Sequence, residues 1–246
     1  MTLVSGDIIN KNFTIKFFDK PYSCWILDKF LDDNLIDAIL ENWLPADNPN
    51  WHNEYSTVDG DKNLLEQGMK SISKLELMPE LIANLLKYFH SDEFTAYIGK
   101  TLGISELVSD KHMRWSGMRN MLPNSFQLIH SDARKSKETG LRKELTCLLY
   151  LNKNYDRQRD QGCLELWNDE MNECIHKIEP IANRLVIFVN SDTAYHGVPV
   201  VLSERKAITF SILKQGNTEE RYKALFVARP NDSIEVKLQG VKRSQI

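Results

Sequence analysis

Three residues raise the first chemical question. His130 and Asp132 stand two apart in Phe126-Gln-Leu-Ile-His-Ser-Asp132, and His196 stands downstream in Tyr195-His-Gly-Val-Pro199. Side chains two apart on a strand project to the same face, so one cation reaches both His130 and Asp132 without distorting the backbone. A third ligand must then come from a neighbouring strand. His112 and His176 are flanked by charges and lack a distinctive turn, whereas His196 sits at a strand start before Gly197 and Pro199. Two imidazoles and one carboxylate on one face of a metal leave three positions open, which is the donor set of a non-haem Fe(II) centre. The same ligands could serve a zinc site with one vacancy, as in hydrolases. Arg205 tips the choice, because a guanidinium just past the third ligand clamps one end of a dicarboxylic co-substrate while the other end chelates the metal.

These residues need strands to hold them. From about Lys111 the sequence becomes short apolar runs broken by Pro, Gly, Asn and Asp: Met113–Asn120, Ser125–His130, Glu144–Asn152, Cys163–Trp167, Cys174–Ile178, Leu185–Val189, Ala194–Val198 and Lys206–Leu213. Strands at that rhythm predict a sandwich or barrel. Ahead of them, Phe13–Phe18 and Cys24–Phe30 read as edge strands, and a helix capped at Asp32-Asp33-Asn34 carries an apolar stripe from Leu35 to Trp43 until Pro45. A polar loop follows through Asn48–His52 to Gly60–Lys62, with His52 at the surface or at a substrate rim. One more helix starts near Pro79 and another at Ser91-Asp-Glu, ending at Gly103, with His90 between them as a helix C-terminal cation. The helices are expected to pack on one face of the sheet.

The chain has 246 residues, 42% of them hydrophobic, enough to bury a full core as one domain. We divide it into helical support and edge strands over 1–108, a β core over 109–214 and a C-terminal extension over 215–246. The extension holds one possible strand, Tyr222–Val227, and a basic tail. With 31 basic against 34 acidic residues, the charge gives no reason to expect nucleic acid or an anionic membrane. Cys24, Cys147, Cys163 and Cys174 form no CxxC pair, Met1–Asp7 turns polar too soon for a signal segment, and no apolar run approaches membrane-spanning length. A cytoplasmic protein with free thiols is the expectation.

Beyond His130-x-Asp132, the blocks Leu145-Thr-Cys-Leu-Leu-Tyr-Leu-Asn152, Gly162-Cys-Leu-Glu-Leu-Trp167, Ile178-Glu-Pro-Ile-Ala-Asn-Arg-Leu-Val-Ile-Phe188, His196-Gly-Val-Pro199 and Arg205-Lys-Ala-Ile-Thr-Phe-Ser211 occur in order. Over roughly 110–214 the chain resembles the 2-oxoglutarate- and Fe(II)-dependent dioxygenases, within them the prolyl 4-hydroxylase-like branch. The resemblance implies a mainly β, α+β chain with a double-stranded β-helix core of jelly-roll or cupin type. It assigns His130, Asp132 and His196 as iron ligands and Arg205 as partner of the distal carboxylate of 2-oxoglutarate. Tyr150 would donate to that carboxylate, and Thr209 matches a hydroxyl residue beside the arginine. O2 is the implied co-substrate, with ascorbate in support. The implied reaction is hydroxylation of an unactivated C–H bond with decarboxylation of 2-oxoglutarate to succinate and CO2. An aspartate at the ligand position argues against a halogenase, where a small residue makes room for halide. The family's usual Gly-Gly is Gln161-Gly162 here, and the basic loop Ala133–Lys143 belongs to this sequence alone.

Each residue also has a plainer reading. Tyr150 suits a core aromatic, Thr209 an ordinary strand residue, Trp167 a packed aromatic and the basic loop a solvated charge run. The substrate is a residue of a protein or peptide, such as proline, or alternatively a free amino acid or other small metabolite. A catalytically silent β-helix that only binds is the third reading, disfavoured by the intact ligands and clamp.

Overall fold

The computed structural model describes residues 8–53, 57–58, 61–62, 66–216, 224–227 and 229–231. In chain order the elements are β1 (Thr14–Phe18), β2 (Cys24–Asp28), α1 (Asp33–Glu41), β3 (His52–Asn53), β4 (Thr57–Val58), β5 (Asp61–Lys62), β6 (Glu66–Ile72), α2 (Glu80–Phe89), α3 (Asp92–Leu102) and β7 (Leu107–Ser109). The second half holds β8 (Gly117–Ser131), β9 (Arg142–Tyr150), α4 (Arg157–Asp160), β10 (Leu164–Trp167), β11 (Cys174–Ile178), β12 (Arg184–Val189), β13 (His196–Val198), β14 (Arg205–Lys214) and β15 (Leu225–Val227). The main sheet runs β1-β2-β12-β9-β14-β8-β13-β10-β11, with its strand pairings antiparallel. It curls on itself as the double-stranded β-helix expected from the sequence.

Alternation along the central strands sorts core from site. On β9, β12 and β14, the residues Leu145, Cys147, Leu149, Leu185, Ile187, Ile208, Phe210 and Ile212 pack toward the helices. Their neighbours Tyr150, Val186, Phe188 and Ala207 form an inner cluster with Leu164 and Leu166. The period of two thus gives each strand one face for the helical layer and one for the barrel interior.

The helices form where their caps and stripes dictate. The Asp32 carboxylate accepts from the amides of Asn34 and Leu35, Ser91 Oγ accepts from Phe94 N at 3.0 Å, and Gly103 stops α3 in the left-handed region at φ 71°. Phe89 of α2 stacks on Phe210 of β14 with ring centroids 4.4 Å apart, and Phe94 of α3 meets the same ring at 5.8 Å. At the junction of these helices, His90 departs from the expected helix C-terminal cation. It is 2% exposed, its Nε2 lies 2.6 Å from Ser116 Oγ, and burial, with Lys111 nearby, lowers its pKa to about 4. A desolvated imidazole stays neutral, so His90 links layers rather than capping with charge.

Other departures concern strands. Met113–Asn120 and Ser125–His130 are not separate strands, for β8 runs through Pro123 and Asn124 in one fifteen-residue stretch. Asn124 at φ 69° bends the strand while its amide bonds Val201 O, so the ladder continues across the proline. The polar loop Asn48–Lys62 contains β3, β4 and β5, and β6 and β7 come from stretches with no strand expectation. β6 reads as polar residues around Gly68, and its pairing partner β8 makes it a strand. α1 ends at Glu41 rather than at Pro45. Tyr222 and the basic tail beyond residue 231 lie outside the described residues, as do Met1–Asp7. Among the described residues no helix is long and apolar enough to cross a membrane.

Candidate metal centre

His130 near the end of β8 and His196 at the start of β13 are cross-strand partners, which sets their rings 4.1 Å apart. Asp132 follows β8 by one residue. His130 Nε2 is 3.6 Å and His196 Nε2 4.0 Å from Asp132 Oδ1, and the three ligand atoms lie within 4.8 Å of one another. Among the described residues this is the one His/Cys/Asp/Glu group with metal-binding spacing.

Hydrogen bonds decide which atoms face the centre. His130 Nδ1 is 3.0 Å from Leu128 O, and His196 Nδ1 is 2.9 Å from Ala194 O. A carbonyl only accepts, so each Nδ1 carries the proton and each Nε2 presents its lone pair. Burial keeps His196 toward the neutral form despite the attraction of Asp132. Asp132 is held through its other oxygen: Lys143 Nζ donates to Oδ2 at 2.6 Å and Thr146 Oγ1 at 3.1 Å. Asn190 Nδ2 in turn donates to Thr146 Oγ1 at 2.9 Å. Burial alone would raise the Asp132 carboxyl, but the Lys143 ammonium and its hydrogen bond outweigh it and hold the group ionised, well below the usual range. Two neutral imidazoles and a charged carboxylate, each fixed from behind, fit a divalent cation.

Arg205, the first residue of β14, borders the same cavity of about 380 Å³ as His130, Asp132 and His196. The arginine is 7% exposed and anchored: Nε donates to Gly162 O at 3.0 Å and Nη2 to Tyr150 Oη at 2.9 Å, with the guanidinium 4.8 Å from the Tyr150 ring centroid. Tyr150 sits behind Arg205 in the inner cluster, not in the cavity lining, and its hydroxyl accepts from the guanidinium while keeping its own hydrogen to donate. Thr209 lines the cavity, with Oγ1 3.5 Å from the carbonyls of Trp115 and Gly117. Leu148, Leu164, Val198, Ala207 and Phe210 supply apolar walls. Trp167 is packed in the protein, with Nε1 3.3 Å from Glu165 Oε2, and His52 is exposed.

Lys143 corrects the reading of the basic loop as a solvated run. It is 4% exposed, lines the cavity and lies over the Trp115 ring. Sequence reasoning missed it because its acid, Asp132, lies just past the end of β8 while Lys143 is on β9, and its sequence neighbours are charged. Thr146 could have been found, since it stands beside Leu145 and Cys147 in a strand of alternating faces. Gln161 accounts for the departure from Gly-Gly: it has φ 52° and ψ −151°, a conformation glycine takes without cost.

A curled antiparallel β core with a two-histidine, one-carboxylate centre and a buried arginine defines the class as a non-haem oxygenase scaffold. Residues 116–212, the stretch that carries His130, Asp132, His196 and Arg205, match the family model described as the 2OG-Fe(II) oxygenase superfamily, so the site-bearing β core is similar to the 2-oxoglutarate- and Fe(II)-dependent dioxygenases. The donor set of His130, Asp132 and His196 fits the iron for which that family is named.

Solved structures similar to this chain include prolyl hydroxylases. One, from Trichoplax adhaerens in complex with a hypoxia-inducible-factor oxygen degradation domain peptide fragment, is 19% identical with TM-score 0.58, covering 78% of this chain and 83% of that one. A Pseudomonas putida prolyl-4-hydroxylase is 18% identical with TM-score 0.57, covering 78% and 92%. A prolyl 4-hydroxylase from Phytophthora capsici is 17% identical with TM-score 0.55, covering 79% and 60%. A search of curated protein sequences gives no match.

Proposed function

We propose that the chain hydroxylates an unactivated C–H bond of a peptide residue, such as proline, with Fe(II) held by His130 Nε2, Asp132 Oδ1 and His196 Nε2. The observation that carries this reading is the convergence of these three atoms in a cavity that also contains a buried, pre-oriented arginine. When bound, Fe(II) and 2-oxoglutarate supply the activation of O2, and the products are succinate, CO2 and the hydroxylated substrate. Arg205 is the partner for the distal carboxylate of 2-oxoglutarate, because Gly162 O and Tyr150 Oη fix the guanidinium before the ligand arrives. The Tyr150 hydroxyl hydrogen adds a second donor, and Thr209 shapes the adjoining wall. Lys143 balances Asp132, and the apolar walls keep water from the reacting centre. The likeness in fold to a prolyl hydroxylase solved with a peptide supports a peptide substrate over a free metabolite.

The test is succinate release from 2-oxoglutarate with Fe(II) and ascorbate, followed by a screen of proline-containing peptides and small metabolites for gain of one oxygen. His130→Ala is expected to abolish Mn(II) binding. Arg205→Ala is expected to raise the 2-oxoglutarate requirement by about 30-fold or more, through loss of roughly 2–3 kcal/mol of charge-assisted bonding, while sparing the metal. Equal loss of Mn(II) in the Arg205 variant, or unchanged Mn(II) binding in the His130 variant, contradicts these roles.

A further inference from the structure

We infer that the C-terminal strap around β15 is a working part of the metal centre, in which Phe226 and Arg229 are positioning residues that hold the strands bearing His130 and His196 in place. This inference rests on the proposed metal ligation. β15 pairs antiparallel with the end of β8, placing Leu225 opposite Ser131, Phe226 opposite His130 and Val227 opposite Ile129. His130 therefore has His196 across one side of its strand and Phe226 across the other. The Phe226 side chain is 6% exposed, and its ring stacks on the His130 imidazole with centroids 5.0 Å apart and planes 20° apart. The Nδ1 bond to Leu128 O fixes which nitrogen faces the centre, and the stacked ring restricts rotation of the imidazole about its long axis.

Arg229 joins β10 and β8, the strands on either side of β13. Its Nε donates to Glu165 Oε2 on β10 at 2.7 Å and its Nη2 to Gln127 O on β8 at 2.8 Å. Glu165 pairs in register with Gly197, and Gln127 with Val198, so the guanidinium reaches across β13 next to His196. Gly197 has the reason for its identity here: a Cβ at that position would lie 2.9 Å from Arg229 Nη2 and 3.1 Å from Leu128 O. The Glu165 side chain is 5% exposed and that of Arg229 13%, a desolvated pair in which loss of the arginine leaves a buried carboxylate with weaker partners, Trp167 Nε1 at 3.3 Å and Lys177 Nζ at 4.0 Å. β8, β13 and β10 carry or flank both imidazoles, and one side chain from the strap ties β8 to β10 across β13.

The experiment uses the full chain and Co(II) alone as the probe. Phe226→Ala and Arg229→Ala are expected to raise the Co(II) dissociation constant by about tenfold or more and to alter the ligand-field absorption of the bound ion, with Phe226→Tyr restoring wild-type affinity. Glu165→Gln keeps the shape but removes the charge of the partner, and weakens Co(II) binding in the same direction even where an arginine variant fails to fold. Because coupling is reciprocal, Co(II) is also expected to slow hydrogen exchange at the amides of Leu225–Val227. Variants that melt earlier yet bind Co(II) as wild type, or strap amides indifferent to Co(II), overturn the inference. His130→Ala separates the two readings: if it binds Co(II) normally, the metal assignment itself fails, and if it alone loses Co(II), only the role of the strap fails.

Discussion

At the scale of single residues, the centre depends on groups one step behind the candidate ligands. The Lys143 ammonium lies 2.6 Å from Asp132 Oδ2 and serves as a counter-ion to that carboxylate. Replacing it by an apolar side chain of similar length removes the cation that faces a largely desolvated carboxylate, while the Thr146 hydroxyl bond stays. Lys143→Met is therefore expected to destabilise the metal-free protein by about 2–3 kcal/mol, less than the roughly 3–5 kcal/mol of a fully buried pair because Asp132 keeps some solvent. A bound cation then becomes the main counter-charge, so Mn(II) should raise the melting temperature of this variant by more than it raises that of wild type. Thermal melts with and without Mn(II) check this, and an equal or smaller shift contradicts it.

The turn between α4 and β10 shows how an element aims a side chain. Gly162 has φ 71°, and a Cβ there would lie 2.5 Å from Val201 Cγ1 and 3.4 Å from Arg205 Cδ. Its carbonyl also receives the Arg205 Nε bond, so the turn and the guanidinium share one geometry. Gly162→Ala is expected to cost about 1–3 kcal/mol, read by urea denaturation, and to raise the KM for 2-oxoglutarate with kcat less affected. Gln161→Gly moves stability the other way by up to about 1 kcal/mol, because Gln161 holds a backbone region natural to glycine. A Gly162 variant with unchanged stability and KM would separate the turn from the arginine.

Over the whole molecule, the helical layer and the β core meet at His90, whose ring faces Ser116, Phe210 and the cation of Lys111. Its folded pKa of about 4 lies below the unfolded value near 6.5, so between those values the unfolded chain binds the proton and the native one does not. Its contribution is complete above pH 6.5 and is lost as the pH falls through 4, by roughly 3 kcal/mol in all. Denaturation midpoints at pH 7 and pH 4.5 measure that slope, and His90→Gln should flatten it. A slope retained in the variant would move the effect to carboxylates. Charge is also distributed by the fold, for a chain with net charge −3 gathers Arg114, Arg119, Lys143 and Arg205 around a cavity in which Asp132 is the acidic lining residue. Such focusing favours entry of a dianionic co-substrate.

The strand alternation of Leu145–Tyr150 and Arg205–Ile212, the spacing of His130 and Asp132, and the caps at Asp32, Ser91 and Gly103 were legible because period and capping are local properties of the chain. His196 and Arg205 were legible too, because each stands in a short block with its own turn residues. Four things were beyond local reading: the continuity of β8 through Pro123, the burial of His90, the pairing of Lys143 with Asp132, and the seating of Phe226 and Arg229 on the strands of the two histidines. Each depends on a partner distant in sequence, and strand pairing and desolvation are decided by what the folded chain brings alongside. The residue types able to bind a cation and a dicarboxylate are thus determined by the sequence itself, whereas the groups that aim and neutralise them exist only once β8, β9, β10, β13 and β15 are assembled.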